Sequence, residues 1–212
     1  MVDKLLNTLK TRLQLPLPGK EAQYLLAPSY RSGMNEDGPR KKAGVILLLY
    51  LKNNELHFPL IERPVYNGAH SGQISFPGGQ VDPADKNLTE TSLRECEEEI
   101  GLKASKIEVI GELTSLFIPA SKFEVFPIIG FYRETPSFIP QKEEVASIIE
   151  VPLSLLLSES CIEYKKVEFN GLEESIPFYN IYNKMVWGAT AMMLSEFVCI
   201  WKENPAYSTR FL

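Results

Sequence analysis

Three glutamates, Glu95, Glu98 and Glu99, fall at i, i+3 and i+4 within the run Arg94-Glu95-Cys96-Glu97-Glu98-Glu99-Ile100-Gly101-Leu102. On a helix this spacing puts them on one side, with Cβ atoms roughly 5 to 6 Å apart. Like charges so placed destabilise an isolated helix by roughly 0.2 to 0.5 kcal/mol per pair. A hard divalent cation with oxygen ligands, Mg²⁺ or Mn²⁺, converts that repulsion into coordination. A solvated acidic face on a surface helix is the competing reading. What surrounds the run decides between them.

The elements that must position these carboxylates are legible from periodicity. Leu88 to Ile100 carries apolar residues at helical intervals, and Phe76-Pro77-Gly78-Gly79 stands before it as a glycine loop. Ala43 to Leu51 and Leu56 to Ile61, separated by Lys52-Asn53-Asn54-Glu55, read as a pair of strands. Glu62 to Ser75 is long and polar, with few strand signals. Strand-like stretches follow at Ile107 to Ile118, Phe123 to Tyr132, Ala146 to Val151, Ile162 to Phe169 and Ile176 to Ile181, and a last helix spans Val186 to Lys202. At the N-terminus Leu5, Leu6, Leu9 and Leu13 give an amphipathic helix that stops before Pro16 and Pro18, and a short helical stretch covers Glu21 to Leu26. The reading is a mixed α/β domain over 41–212, with few helices on a β-sheet, and an N-terminal helical extension over 1–40 packed on it.

Composition removes several classes of function. The 212 residues hold 44% hydrophobic and 23% charged residues, which is an ordinary globular balance. With 22 Lys plus Arg against 27 Asp plus Glu the chain lacks the basic surplus of a nucleic-acid binder, and no nucleic-acid partner is expected. Its longest apolar run falls far short of the roughly 20 residues of a membrane span. The three cysteines, Cys96, Cys161 and Cys199, fit neither a disulfide framework nor a CxxC zinc site, and the N-terminus does not read as a signal peptide. A cytoplasmic protein is expected, and a homodimer is left open.

Gly79, five residues, Asp85, eight residues and then Arg94 to Leu102 resemble the Nudix box, whose usual form is GX5EX7REUXEEXGU with U aliphatic. Asp85 stands where the box usually has Glu, one extra residue precedes Arg94, and Cys96 fills an aliphatic position. The resemblance implies the Nudix α/β/α sandwich with a mixed sheet, and a loop, helix and loop that hold Mg²⁺ or Mn²⁺ against a diphosphate. It assigns Glu95, Glu98 and Glu99 to the metal, with one of them a candidate base for the attacking water. Gly78 and Gly79 let backbone approach phosphate or metal closely. Arg94, four residues before Glu98, is placed to orient that carboxylate. A further acid often reaches such sites from outside the box; Glu144 is the candidate, with Glu143 as its rival.

Leu60 to Gly79 resembles the signature of the coenzyme A diphosphatases within this superfamily. Leu60, Arg63, Gly72, Phe76, Pro77, Gly78 and Gly79 match it. Pro59, Ile61 and Pro64 depart from it, and Gly68 stands where an arginine is usual. The longer box and Val186 to Ala191 also resemble the subgroup. The implied substrate is coenzyme A or a derivative, cleaved to adenosine 3′,5′-bisphosphate and 4′-phosphopantetheine. Arg63 and His70 are candidates to contact phosphate. A Nudix hydrolase of ADP-ribose or a nucleoside triphosphate is the nearer alternative, and a Nudix domain that binds a nucleotide or partner without turnover is the other. Trp187 and the cysteines read as packing residues, and Tyr164, Tyr179 and Tyr182 are unassigned.

Overall fold

The computed structural model describes residues 2–34, 37–65, 71–169 and 171–203. Helix α1 (Val2–Leu13) buries the face carrying Leu5, Leu6 and Leu9, and the prolines beyond it end the helix. Helix α2 (Gly19–Tyr24) and a tight 3₁₀ turn (Ser29–Gly33) complete the N-terminal segment. Strands β1 (Lys41–Lys52) and β2 (Glu55–Glu62) form the expected hairpin. Its register closes at Lys52 opposite Glu55, so Asn53 and Asn54 make a two-residue turn with φ of 52° and 60°. Asparagine tolerates that left-handed backbone, whose twist matches the flanking strands.

There follow β3 (Ile74–Ser75), β4 (Gly78–Gln80), α3 (Leu88–Ile100), β5 (Ile107–Glu112), β6 (Leu116–Ile118), β7 (Phe123–Tyr132) and β8 (Ser147–Pro152). The chain ends in α4 (Leu153–Leu157), β9 (Ile162–Phe169), β10 (Leu172–Ile181), β11 (Lys184–Trp187) and α5 (Gly188–Lys202). The main sheet runs β3-β2-β1-β7-β5, with β4 added to β1, β6 to β7 and β8 to β2. It is mixed, because β1 and β7 run parallel while the remaining pairs are antiparallel. A smaller sheet, β11-β10-β9, is built from two hairpins.

Strand β1 reads as a near-continuous apolar run because both of its faces are covered. Ile46, Leu48 and Tyr50 pack in one cluster with Cys96 and Ile100 of α3. Leu47 and Leu49, pointing the other way, join Leu6 and Leu9 of α1 and Phe197 and Ile200 of α5. Helices therefore sandwich the main sheet. The N-terminal segment is held down by polar groups as well. Glu196 of α5 is fully buried and accepts hydrogen bonds from Gly19 N (3.1 Å), Gln23 Nε2 (2.9 Å) and Thr114 Oγ1 (2.6 Å). Shared among these donors, the carboxylate ties α2, the turn after β5 and α5 into one unit.

Several boundaries differ from the sequence reading. Gly78 and Gly79, expected in a loop, pair together with Gln80 against Ala43 to Val45 and form β4. Ile107 to Ile118 is two strands, broken where Leu113 N turns to Pro127 O. The last helix starts at Gly188, because Lys184 to Trp187 pairs with β10 across a turn at Tyr182 and Asn183. Trp187 therefore precedes the helix, and β11 and α4 were too short to announce themselves by periodicity.

Candidate metal and diphosphate site

Helix α3 carries the acidic run, and its ends are specified locally. Asn87 caps the start by accepting from Glu90 N at 2.9 Å. Gly101, at φ 75°, stops it in the left-handed conformation, where Gly101 N reaches Glu97 O at 3.0 Å. Cys96 and Ile100 face the core, as a small hydrophobe and an aliphatic should, and burial pushes the Cys96 thiol up to about 12. A neutral thiol without a base is no nucleophile.

The three glutamates occupy a gradient of burial. Glu99 is 1% exposed, the Glu95 side chain 14% and the Glu98 side chain 55%. Glu99 accepts from Gly78 N at 2.8 Å. Burial pushes its carboxyl up to about 8; the Gly78 N–H and the charge of Arg63 oppose the rise, while Glu95 and Glu144 add to it. Glu95 is raised for the same leading reason, burial, with Arg94 opposing and Glu98 and Glu144 reinforcing.

Arg94 is the hub of the site. Its Nη1 lies 2.8 Å from Glu98 Oε2 and 2.9 Å from Glu95 Oε1. Its Nε and Nη2 lie 3.0 and 3.1 Å from the two oxygens of Asp85, and Nη2 also reaches Gln80 O at 3.2 Å. Asp85, whose side chain is 5% exposed, further accepts from Thr91 Oγ1 and Asp82 N, both at 2.9 Å. The Arg94 bonds, then burial in the opposite sense and the other donors, hold its carboxyl well below the usual carboxylate range. The aspartate that looked like a departure in the sequence is thus the anchor that clamps Arg94 to both strand and helix. Its one signal was an acid at the box position, and its pairing with Arg94 could not be read from spacing.

Two glycines make the close approach possible. A Cβ on Gly79 would lie 2.5 Å from the Glu95 carboxylate, and one on Gly78 would lie 2.4 Å from Gly44 O. Gly78 also sits at φ 150°, a conformation that side chains rarely adopt. Strand β4 is consequently a thin wall: Gly78 N turns to Glu99, while Gly78, Gly79 and Gln80 also line a cavity of about 450 Å³.

Arg63 lines the same cavity, with its backbone N bonded to Gln73 O at 3.0 Å. Trp187 lines it too. Glu144 is exposed at the edge of the acidic cluster, close enough for its charge to act on both Glu95 and Glu99. Glu143 is instead held by Gln141 Nε2 at 2.7 Å. His70 and Gly68 lie outside the described residues. Tyr179 is buried, while Tyr164 and Tyr182 are exposed.

Among the described residues no group of three or more His, Cys, Asp or Glu side chains is arranged to hold a metal ion. Arg94 draws Glu95 and Glu98 to itself. The donor set nevertheless fits a hard divalent cation: its donors are carboxylate oxygens, and two of them are desolvated beside one another, so that their charged forms are disfavoured until a cation neutralises them.

The NUDIX domain family matches residues 40–166. A protein from Photorhabdus laumondii, named Uncharacterized Nudix hydrolase NudL, is 38% identical over 128 residues, which cover 60% of this chain and 68% of that protein. Its namesake in Yersinia pestis is 32% identical over 183 residues, 86% of this chain and 87% of the relative. Among solved structures, the Nudix hydrolase RenU from M. smegmatis superposes with a TM-score of 0.52 at 14% identity, over 80% of this chain and 90% of that one, a likeness in fold. No helix among the described residues is long and apolar enough to cross a membrane.

Proposed function

Since the chain belongs to the Nudix family and is a hydrolase acting on diphosphates, we propose that its substrate is coenzyme A, cleaved to adenosine 3′,5′-bisphosphate and 4′-phosphopantetheine. The observation that carries this reading is the thin wall of β4, with desolvated Glu99 bonded to it and a roomy cavity along it that also takes in Arg63 and Trp187. The substrate-specific part rests on Arg63, Gly72 and Phe76-Pro77-Gly78-Gly79, which resemble the coenzyme A diphosphatase signature, while Gly68 departs from it.

A divalent cation, Mg²⁺ or Mn²⁺, would neutralise charge at phosphate and acidify the attacking water. Glu95, Glu98 and Glu99 are the residues that would hold it. Arg94 fixes the Glu95 and Glu98 carboxylates in direction, and Asp85 fixes Arg94. Gly78 and Gly79 admit the diphosphate close to the backbone, and Arg63 and His70 are assigned to its oxygens. In the reaction a water oxygen bonds to phosphorus and the bridging P–O bond breaks. The water proton passes to a carboxylate of this cluster, which Glu144 borders.

The test is one comparison under one condition. Coenzyme A, ADP-ribose and the common nucleoside triphosphates are assayed with Mg²⁺ or Mn²⁺, and products are identified. Coenzyme A should give the highest kcat/KM. A tenfold lead for ADP-ribose or for a triphosphate overturns the coenzyme A assignment and leaves diphosphate hydrolysis standing.

A further inference from the structure

The smaller sheet ends in an open edge. Strand β9, eight residues long, pairs with β10 from Ile162 opposite Tyr179 to Phe169 opposite Leu172, in one register without a bulge. Among the described residues no strand pairs with its other side. Unpaired N–H and C=O groups along such an edge are a template for a further strand, which proteins commonly deny by a bulge, a proline or a covering loop. Here Glu163, Tyr164, Lys165 and Lys166 are all exposed, so the strand is open on both faces, and Tyr164 is 70% exposed. The edge is also held ready. Ser29 accepts from Ser175 N at 2.9 Å and donates to Glu174, Tyr30 stacks on Phe169 with ring centroids 4.2 Å apart, and Lys166 meets Glu173 at 2.7 Å. A hairpin fixed in this way loses little entropy on receiving a partner.

The order of charges along β9 selects that partner. Two identical antiparallel strands related by a two-fold axis set one residue opposite its own copy, and the residues on either side of it then face each other. Centred on Lys165 or on Lys166, such a pair brings two ammonium groups together; centred on Glu163 or Glu168, two carboxylates. Like charges directly opposite are destabilising. Centred on Val167, it draws on Lys166, already paired with Glu173, and on Phe169, already stacked by Tyr30. Centred on Tyr164, it sets the two tyrosines together and faces Glu163 with Lys165 on both sides of the axis. Lys165 has no carboxylate partner among the described residues, and Glu163 is met only by the neutral amide of Asn180, at 2.7 Å. Opposite charges and an aromatic pair are the cross-strand contacts that stabilise a ladder.

We propose that β9 is a self-pairing edge, through which two copies of this chain form an antiparallel dimer centred on Tyr164. The two small sheets then join into one continuous sheet. A single strand pair buries less surface than a permanent interface, so the dimer exchanges with monomer as concentration falls. The contact is independent of the substrate and of turnover.

The experiment follows the mass of the full chain by sedimentation over a range of protein concentrations. The native protein should pass from monomer to dimer as concentration rises. Lys165→Glu sets carboxylates face to face on both sides of the axis, and Glu163→Lys does the same with ammonium groups. Each should raise the dimer dissociation constant by roughly tenfold to a hundredfold. An equimolar mixture of these two variants restores both opposite-charge pairs between unlike chains, so it should dimerise where neither variant does alone, which also shows that both are folded. Tyr164→Cys brings two thiols opposite each other, with Cα atoms roughly 4.5 to 5.5 Å apart, within reach of a disulfide. Mild oxidation should link its copies, and should not link those of Lys166→Cys. A native protein that stays monomeric throughout, a dimer indifferent to Lys165→Glu, or a mixture of the two charge variants that remains monomeric overturns the proposal.

Discussion

Replacing Asp85 by asparagine isolates the clamp on Arg94. The native carboxylate gives one oxygen to Arg94 Nε and the other to Arg94 Nη2, Thr91 Oγ1 and Asp82 N, all between 2.9 and 3.1 Å. An amide of the same shape must point its NH₂ at one of these donors, which breaks a charge-assisted bond and faces donor with donor. Bonds to charged groups contribute about 1.5 to 3 kcal/mol. Since the Arg94 side chain is 30% exposed and can recover water, a net loss of about 2 to 3 kcal/mol is expected. At about 2 to 4 °C per kcal/mol for a domain of this size, the melting midpoint should drop by roughly 4 to 12 °C. The folded carboxyl is held below its unfolded value of about 3.9, so this stability is complete above that pH and declines as pH falls through the folded value. The gap between native and Asp85→Asn proteins should therefore be constant near neutrality and narrow below about pH 4. Turnover should fall by roughly tenfold to a hundredfold as Glu95 and Glu98 lose a fixed partner. Matched midpoints at pH 7, with unchanged kcat, would refute the clamp.

The remaining predictions concern the carboxylates and the wall before them. Glu98→Gln, nearly isosteric at an exposed position, should leave the melting midpoint in place and lower kcat by roughly a hundredfold or more; near-normal turnover would make the acidic side mere surface. Millimolar Mg²⁺ or Mn²⁺ should raise the midpoint in thermal melts, because clustered native carboxylates bind the ion more tightly than the unfolded chain does; an unchanged midpoint with and without nucleotide counts against a metal site. Gly78→Ala and Gly79→Ala should separate stability from activity. The first drives a Cβ into Gly44 backbone at a strained φ and should destabilise or unfold the protein, while the second meets only the movable end of Glu95 and should fold yet lose most turnover. Equal melting midpoints for the pair would contradict this.

Legibility in the sequence followed the length of the repeating pattern. Helix α3 was readable to the residue at Leu88 and Ile100, because it has an apolar stripe and a glycine stop. The β1–β2 hairpin was readable because two asparagines sit between apolar runs. Strand β4 was not, since Gly78-Gly79-Gln80 has no strand propensity and is extended only because β1 offers it a register. The box carboxylates were found by their spacing, but the burial that distinguishes Glu99 from Glu98 was not, because it depends on where β4 and the core lie. Glu196 gave no local signal at all. It is an acid in an apolar helix, and its importance comes from elements far apart in the chain.

The site concentrates features that would each weaken an ordinary fold: a buried and a half-buried carboxylate side by side, a glycine pair in a strand, and a guanidinium shared among three acids. Local rules broken together at one place, in a chain whose other elements obey them, are the expected mark of function. The surroundings compensate in kind. Arg94 opposes the rise of the Glu95 carboxyl, Gly78 N–H opposes that of Glu99, and Asp85 sets the direction of Arg94. Each compensating group reaches the acids from a different element: β4 supplies an amide, the loop before α3 an acid, and α3 itself an arginine. The acidic cluster is therefore stable only in the assembled domain, which is why the same spacing on an isolated helix would read as a solvated surface.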